Sequence, residues 1–154
     1  MTAGFVTRRL SSQPDAMAPD GSEVRVLASS SLGSMAQFTL PPGAVSKAVA
    51  HRSVEELWLV MQGRGRMWRK QGDVENVVAL DPGISISIPV GTRFQFGCDG
   101  SEALVAVGVT MPPWPGAAEA VPVDGPWTPA DQGGLTSLLR HAEYLPVLQR
   151  GKPA

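Results

Sequence analysis

The sequence is poor in the residues that hold most metals, cofactors and covalent staples. Among 154 residues there is one cysteine, Cys98, and there are two histidines, His51 and His141. A single cysteine excludes an intrachain disulfide framework and a four-cysteine zinc site. Long apolar runs are missing too, since no stretch approaches the roughly 20 residues that span a bilayer. In the opening segment MTAGFVTRRLSSQPD, Arg8 and Arg9 break the apolar core that a signal peptide needs. The expected compartment is therefore the cytoplasm. Charge of one sign is also lacking: 13 Lys and Arg stand against 14 Asp and Glu. Nucleic acid or an anionic membrane would call for a basic surplus, so neither is an expected partner.

What the chain does have is glycine and proline, 17 and 14 respectively, with 43% hydrophobic and 18% charged residues. That composition and length fit one globular domain with a real core. Both residues punctuate short strands and disfavour long helices, so an all-β fold is expected. Alternation and β-branched content predict strands over 23–28, 34–40, 56–62, 65–70, 76–80, 85–89, 94–96 and 103–110. Gly63-Arg64-Gly65 reads as a hairpin turn. Eight short strands at nearly even spacing predict a closed sandwich or barrel.

The texture changes after Thr110. MPPWPGAAEAVPVDGPWTPADQGG reads as an irregular strap with Trp114 and Trp127 as its large anchors. LTSLLRHAEYLPVL, 135–148, has Leu135, Leu138, Leu139 and Ala142 at spacings of three and four and predicts a short helix with one docking face. His141 lies on that helix and is read as a surface or packing residue. The expected organisation is an N-terminal arm over 1–22, a barrel over 23–115, and a strap and helix over 116–154 packing on the barrel.

Gly43, His51, Glu56 and Gly63 follow the spacing G-x5-H-x-H-x3,4-E-x6-G, and Gly83, Pro89 and Gly91 follow the start of G-x5-P-x-G-x2-H-x3-N. These are the two motifs of the cupins, and HRSVEELWLVMQGRGRMW, IPVGTRFQF and VTMPPWPG resemble small single-domain bacterial members. The resemblance covers roughly residues 23 to 115 and implies a single jelly-roll β-barrel. In metal-binding cupins two histidines and the glutamate of the first motif join a histidine of the second around one ion. Here Val49 stands at the first histidine position, His51 at the second, Glu56 at the glutamate, Phe94 at the third histidine and Cys98 at the final asparagine. Two ligands of four remain, His51 and Glu56, too few for a tightly held zinc, iron or manganese. Cys98, in GCDG, reads as a turn residue beyond its strand. No cofactor is required on this reading, with a weakly bound divalent metal at His51 and Glu56 as its variant.

Alternation places Glu56, Trp58 and Val60 on one strand face, with Glu55 opposite, and the resemblance turns that face inward. Phe94 and Phe96 share the inner face of their strand, as do Met67 or Trp68, while Gln95 faces away. The expected substrate pocket is formed by Val49, Trp58, Val60, Phe94 and Phe96, with Arg93 at the barrel mouth to steer an anion. Burial there raises a carboxylate's pKa, and a nearby carboxylate is expected to raise the histidine's, which equips His51 and Glu56 as an acid–base pair. Arg64, Arg66, Arg69 and Lys70 read as charges protecting an edge strand. Two functions follow. One is a cupin-type enzyme for a small apolar or aromatic molecule, an isomerase, lyase, cyclase or hydrolase working through His51 and Glu56. The other is a non-catalytic small-molecule-binding module. Pairing as a homodimer is compatible with both.

Overall fold

Period-two alternation is written into the burial of the strands over 23–26, 49–51, 55–61, 85–88 and 104–111. In a computed structural model, residues 4–130 are described. Eleven strands run in chain order: β1 Ala16–Met17, β2 Glu23–Ser29, β3 Ser34–Leu40, β4 Val49–His51, β5 Glu55–Gln62, β6 Gly65–Gln71, β7 Val74–Leu80, β8 Ser85–Ile88, β9 Arg93–Cys98, β10 Leu104–Met111 and β11 Ala120–Pro122. A single 3-10 turn, Ala117–Glu119, precedes β11. In β5, Glu56, Trp58 and Val60 are buried while Glu55, Leu57, Leu59 and Met61 are exposed, as a strand with one face on a core requires.

The strands form two antiparallel sheets, β1-β2-β3-β10-β5-β8 and β11-β4-β9-β6-β7. Their inner faces close on one core in which Phe38, Trp58, Val60, Met67, Leu80, Ile88, Phe94, Phe96 and Leu104 are buried together. This is the closed all-β barrel that the strand rhythm predicts, of the jelly-roll type that the resemblance implies. Among the described residues no helix is long and apolar enough to cross a membrane. The hairpin at Gly63 needs glycine twice over. Its φ is 83°, and a Cβ there would stand 2.4 Å from the Ala103 carbonyl oxygen.

All eight expected strands are present, and three short ones join them. β1, inside the stretch read as an arm, pairs Ala16 with Val24. β4 and β11 pair Ala120 with His51 and Pro122 with Val49, so part of the strap extends the second sheet. Two- and three-residue strands carry too little alternation to be read. β6 is not an edge strand, because it lies between β9 and β7. Its cations serve local contacts instead. Arg66 pairs with Asp99 and stacks 4.4 Å over the Trp127 ring, and Arg69 Nη1 donates to the Ser87 carbonyl at 2.8 Å. Cys98 is the last residue of β9 rather than part of a turn, and its buried thiol donates to the Glu102 carbonyl.

Besides the β11–β4 pairing, the strap meets the barrel at both of its tryptophans. Trp114 is buried against His51. Near Trp127, Gln95 faces away from Phe94, yet strap residues cover it. Its amide donates to the carbonyls of Ser46 and Trp127, and its oxygen accepts from the Trp127 N–H. The helix expected over 135–148, with His141, lies outside the described residues.

Candidate active site in the barrel mouth

His51 closes β4 and Glu56 is the second residue of β5, so the three-residue turn over 52–54 brings them together. Cross-strand neighbours fix both. Val49, two residues before His51 on the same face, pairs with Phe94, and Glu56 lies between Thr110 of β10 and Ile88 of β8. The turn itself is held by Glu119 of the strap. Its carboxylate accepts from the backbone N–H groups of Ser53 and Val54 and from the Ser53 hydroxyl. The Glu119 carbonyl accepts from the Arg52 N–H at 3.0 Å, and Arg52 Nε donates to the Ala118 carbonyl.

His51 Nδ1 and Glu56 Oε2 are 3.7 Å apart, and the two side chains are 6% and 3% exposed. The imidazole stands edge-on to Phe94 and to Trp114, with ring centroids 5.1 and 5.0 Å away. Removal from water lowers its pKa to about 4, against a smaller opposing pull from the Glu119 charge. Nδ1 is buried without a hydrogen-bond partner. Burial pushes Glu56 the other way, to about 8, with the Trp58 indole moderating the rise and the Asp20 charge adding to it. The Trp58 indole N–H does not meet the geometry of a full hydrogen bond. Burial also opposes ionisation of Glu119, but the donors from Ser53 and Val54 and the nearby His51 outweigh it, and its pKa is lowered.

Between these groups lies a cavity of about 20 Å³, lined by Asp20, His51, Glu56, Trp58, Thr110 and Trp114 among others. That is room for one water. Of the residues expected to form the pocket, Val49, Trp58 and Phe94 line it. Val60 and Phe96 are buried in the core but do not line it; Phe96 stands edge-on to Trp58 at 4.9 Å. Arg93 is exposed, in register with Ala50 and Lys70, and takes no part in the lining.

Three contributors escape a reading of the motifs. Ala18, Pro19 and Asp20 reach the cavity from the chain after β1. Glu119 does so through the turn it holds, and its signal was available: it is the one charged residue in PPWPGAAEAVPV. Gly108 sits opposite Trp58 on β10. A Cβ there would lie 2.7 Å from Phe38 Cε2 and 3.0 Å from Glu56 Oε1, so the missing side chain makes room for the carboxyl.

Residues 36–110 match the cupin-domain family. With the barrel and both motif remnants in place, residues 36–110 form a cupin domain. Solved structures share the fold at low identity. A protein from Bacillus halodurans, BH2720, is 19% identical with a TM-score of 0.55, covering 59% of this chain and 70% of its own. The CENP-C domain of Drosophila melanogaster is 16% identical with a TM-score of 0.54, covering 59% and 67%. Oxalate decarboxylase of Bacillus subtilis is 19% identical with a TM-score of 0.61 over 72% of this chain, and this chain spans 29% of that protein. No curated protein sequence matches this one.

The oxalate decarboxylase carries Mn(II) centres. The donors here do not fit such an ion. Among the described residues no group of three or more His, Cys, Asp or Glu side chains is placed to hold a metal. Val49 and Phe94 present carbon where a metal-binding cupin has imidazoles, and both line the cavity.

Proposed function

We propose that the protein is a cupin-type enzyme acting on a small, largely apolar molecule by proton transfer, with Glu56 as general acid and His51 as general base. One observation carries this reading. In a nearly dry cavity, a carboxyl that keeps its proton up to about pH 8 stands 3.7 Å from an imidazole that stays proton-free down to about pH 4. At neutral pH both groups are uncharged, one ready to give a proton and one ready to take it. Trp58, Phe94 and Val49 supply an apolar wall suited to an aromatic or aliphatic body. Proton transfer of this kind serves an isomerase, lyase, cyclase or hydrolase and needs no third ligand.

Trp114 of the strap is buried against His51 and lines the cavity, so its indole is one of the side chains a substrate larger than water has to displace. The test is a thermal-shift screen of small aromatic and aliphatic compounds, followed by NMR detection of product with wild type, His51→Ala and Glu56→Gln. A stabilising ligand that wild type converts and both variants bind without converting supports the assignment. Equal turnover by all three removes the pair from the mechanism. The nearly filled interior favours a second reading, a binding or interaction module, and stabilisation without product in any protein would select it.

A further inference from the structure

A second concavity opens at the rim of the barrel, where edge strands of the two sheets approach each other. β7 ends the five-stranded sheet and β8 the six-stranded one. Residues of both, with the turn after β8, line a cleft of about 220 Å³ that shares none of them with the cavity of His51 and Glu56. Its lining is built around one arginine. Arg69 Nη1 donates to the Ser87 carbonyl at 2.8 Å, a bond from one sheet to the other that holds the guanidinium in place. Among the described residues Nε and Nη2 of Arg69 have no partner, and neither Arg69 nor Lys70 beside it reaches a carboxylate. Glu75, the one acid among the described residues of the lining, has its Oε2 occupied by the Trp68 indole N–H at 3.0 Å. The described lining therefore carries a net charge of +1, and Arg93, in register with Lys70, adds a further cation next to it. The turn contributes Thr92, 2% exposed, whose hydroxyl is buried without a hydrogen-bond partner. A buried hydroxyl is costly to leave in that state and calls for an acceptor or donor.

We propose that this cleft binds a small monocarboxylate, its carboxylate on Arg69 and Thr92 and its short apolar body against Val74 and Pro89. Charge decides the class. A carboxylate brings the single negative charge that balances the lining, whereas a phosphate monoester near neutral pH brings about −1.5 to −2 and leaves the excess facing Glu75. Shape agrees with charge. The Nε–Nη2 edge of a guanidinium offers two parallel donors, which a planar carboxylate accepts together. The Thr92 hydroxyl and the amide of Asn76, directly across from Arg69 on β7, are the donors for the remaining lone pairs. Because the Ser87 carbonyl already fixes the guanidinium, little side-chain freedom is lost on binding. Val74, 76% exposed, and Pro89 form the apolar part of the lining. The volume limits the guest to a few heavy atoms, since pockets for larger ligands run to roughly 300–1,000 Å³.

NMR titration of the full chain with butyrate tests the proposal, with butyramide as its neutral isostere and inorganic phosphate as the tetrahedral anion. Butyrate is expected to shift the signals of Arg69, Asn76 and Thr92 saturably, with a dissociation constant of about 0.1–5 mM, and butyramide to leave them in place. Arg69→Gln is expected to weaken binding ~10-fold or more, and Arg69→Lys, which keeps the charge without the fork, about fivefold. Thr92→Val separates binding from structure. It removes a hydroxyl that has no partner in the free protein, so the melting temperature is expected to hold or rise while the butyrate dissociation constant rises about fivefold. The absence of a saturable shift up to about 50 mM butyrate overturns the proposal. Equal binding of butyramide does so too, as does a response at Trp58 and Trp114 in place of Arg69. Phosphate binding tighter than butyrate overturns the assignment to carboxylates, and unchanged affinity in Thr92→Val overturns the role given to its hydroxyl.

Discussion

The Glu119 carboxylate accepts a 2.7 Å hydrogen bond from the backbone N–H of Val54, two residues ahead of Glu56. That contact ties the strap to the turn joining His51 to Glu56, so one side chain fixes both the strap and the pair. Val54 is fully buried, and its N–H has no water to turn to if the carboxylate is removed. Glu119→Ala is therefore expected to destabilise the protein by about 2 kcal/mol or more, since it orphans buried donors. It is also expected to speed modification of His51 by diethyl pyrocarbonate, read by peptide mass mapping to separate it from His141. The lowered pKa of Glu119 sets the pH dependence. Its contribution is present above the ordinary carboxylate pKa and is lost as pH falls through the folded value, so variant and wild type converge in acid. Unchanged His51 reactivity in Glu119→Ala would show that the strap closes without this latch.

The His51–Glu56 pair shapes stability from both sides of neutrality. Glu56 is raised to about 8, so the folded state holds a proton that the unfolded chain releases above about 4.5. Its contribution is full below that pH and is lost as pH rises toward 8. His51 is lowered to about 4, so its contribution is full above about 6.5 and is lost as pH falls through 4. Each limb has a slope of up to about 1.4 kcal/mol per pH unit. Glu56→Gln, which mimics the protonated acid, is expected to flatten the alkaline limb in urea melts between pH 5 and 9 while leaving the acid limb in place. For the proposed acid–base activity, the same pKa values predict a plateau between about pH 4 and 8. An alkaline limb unchanged in Glu56→Gln would mean that this carboxyl is ionised in the folded protein at neutral pH.

The barrel was readable because its strands are long enough to alternate. EELWLVMQ declares its inner and outer faces residue by residue, and the turn glycines mark the motif spacing. The site was readable where a motif position carried it, which gave His51, Glu56, Val49 and Phe94, and where strand alternation did, which gave Trp58. Asp20 and Trp114 come to the cavity, and Glu119 to the turn beside it, from segments whose sequences carry no period. Their positions depend on tertiary contacts, which local patterns do not encode. Arg93 shows the opposite limit. It stands beside a motif residue, but strand alternation turns it away from Phe94 and out to solvent. The same blindness to pairing made β6 read as an edge, because charge on a strand signals exposure and says nothing of its neighbours.

Gly108 offers a way to disturb the carboxyl without touching it. Gly108→Ala places a methyl 2.7 Å from the Phe38 ring and 3.0 Å from Glu56 Oε1, inside a packed layer where Phe38 stacks on Trp58 at 5.5 Å. Overpacking of this kind costs about 1–3 kcal/mol. The expected result is that loss in chemical denaturation together with a changed alkaline limb, because the displaced carboxyl meets different surroundings. A loss of stability with the alkaline limb unaltered would mean that the layer yields on the Phe38 side alone.

Whether Val49 and Phe94 are what separates this site from a metal centre can be tested by putting imidazoles back. The two residues pair directly across β4 and β9, and both line the cavity with His51 and Glu56. Val49→His with Phe94→His thus assembles three histidines and a carboxylate around one small space, a donor set suited to zinc or cobalt. Without metal, two polar rings in an apolar layer are expected to lower stability by about 1–3 kcal/mol each. With metal, binding to the folded state alone is expected to raise the melting temperature in proportion to the logarithm of free metal concentration. Cobalt titration followed by visible absorption reads the coordination directly, with His51→Ala in the same background as the control that loses it. A double variant that folds yet shows neither a cobalt spectrum nor metal-dependent stabilisation would mean that the backbone at β4 and β9 no longer holds metal-binding geometry. The departure from a metal site would then lie deeper than the two side chains.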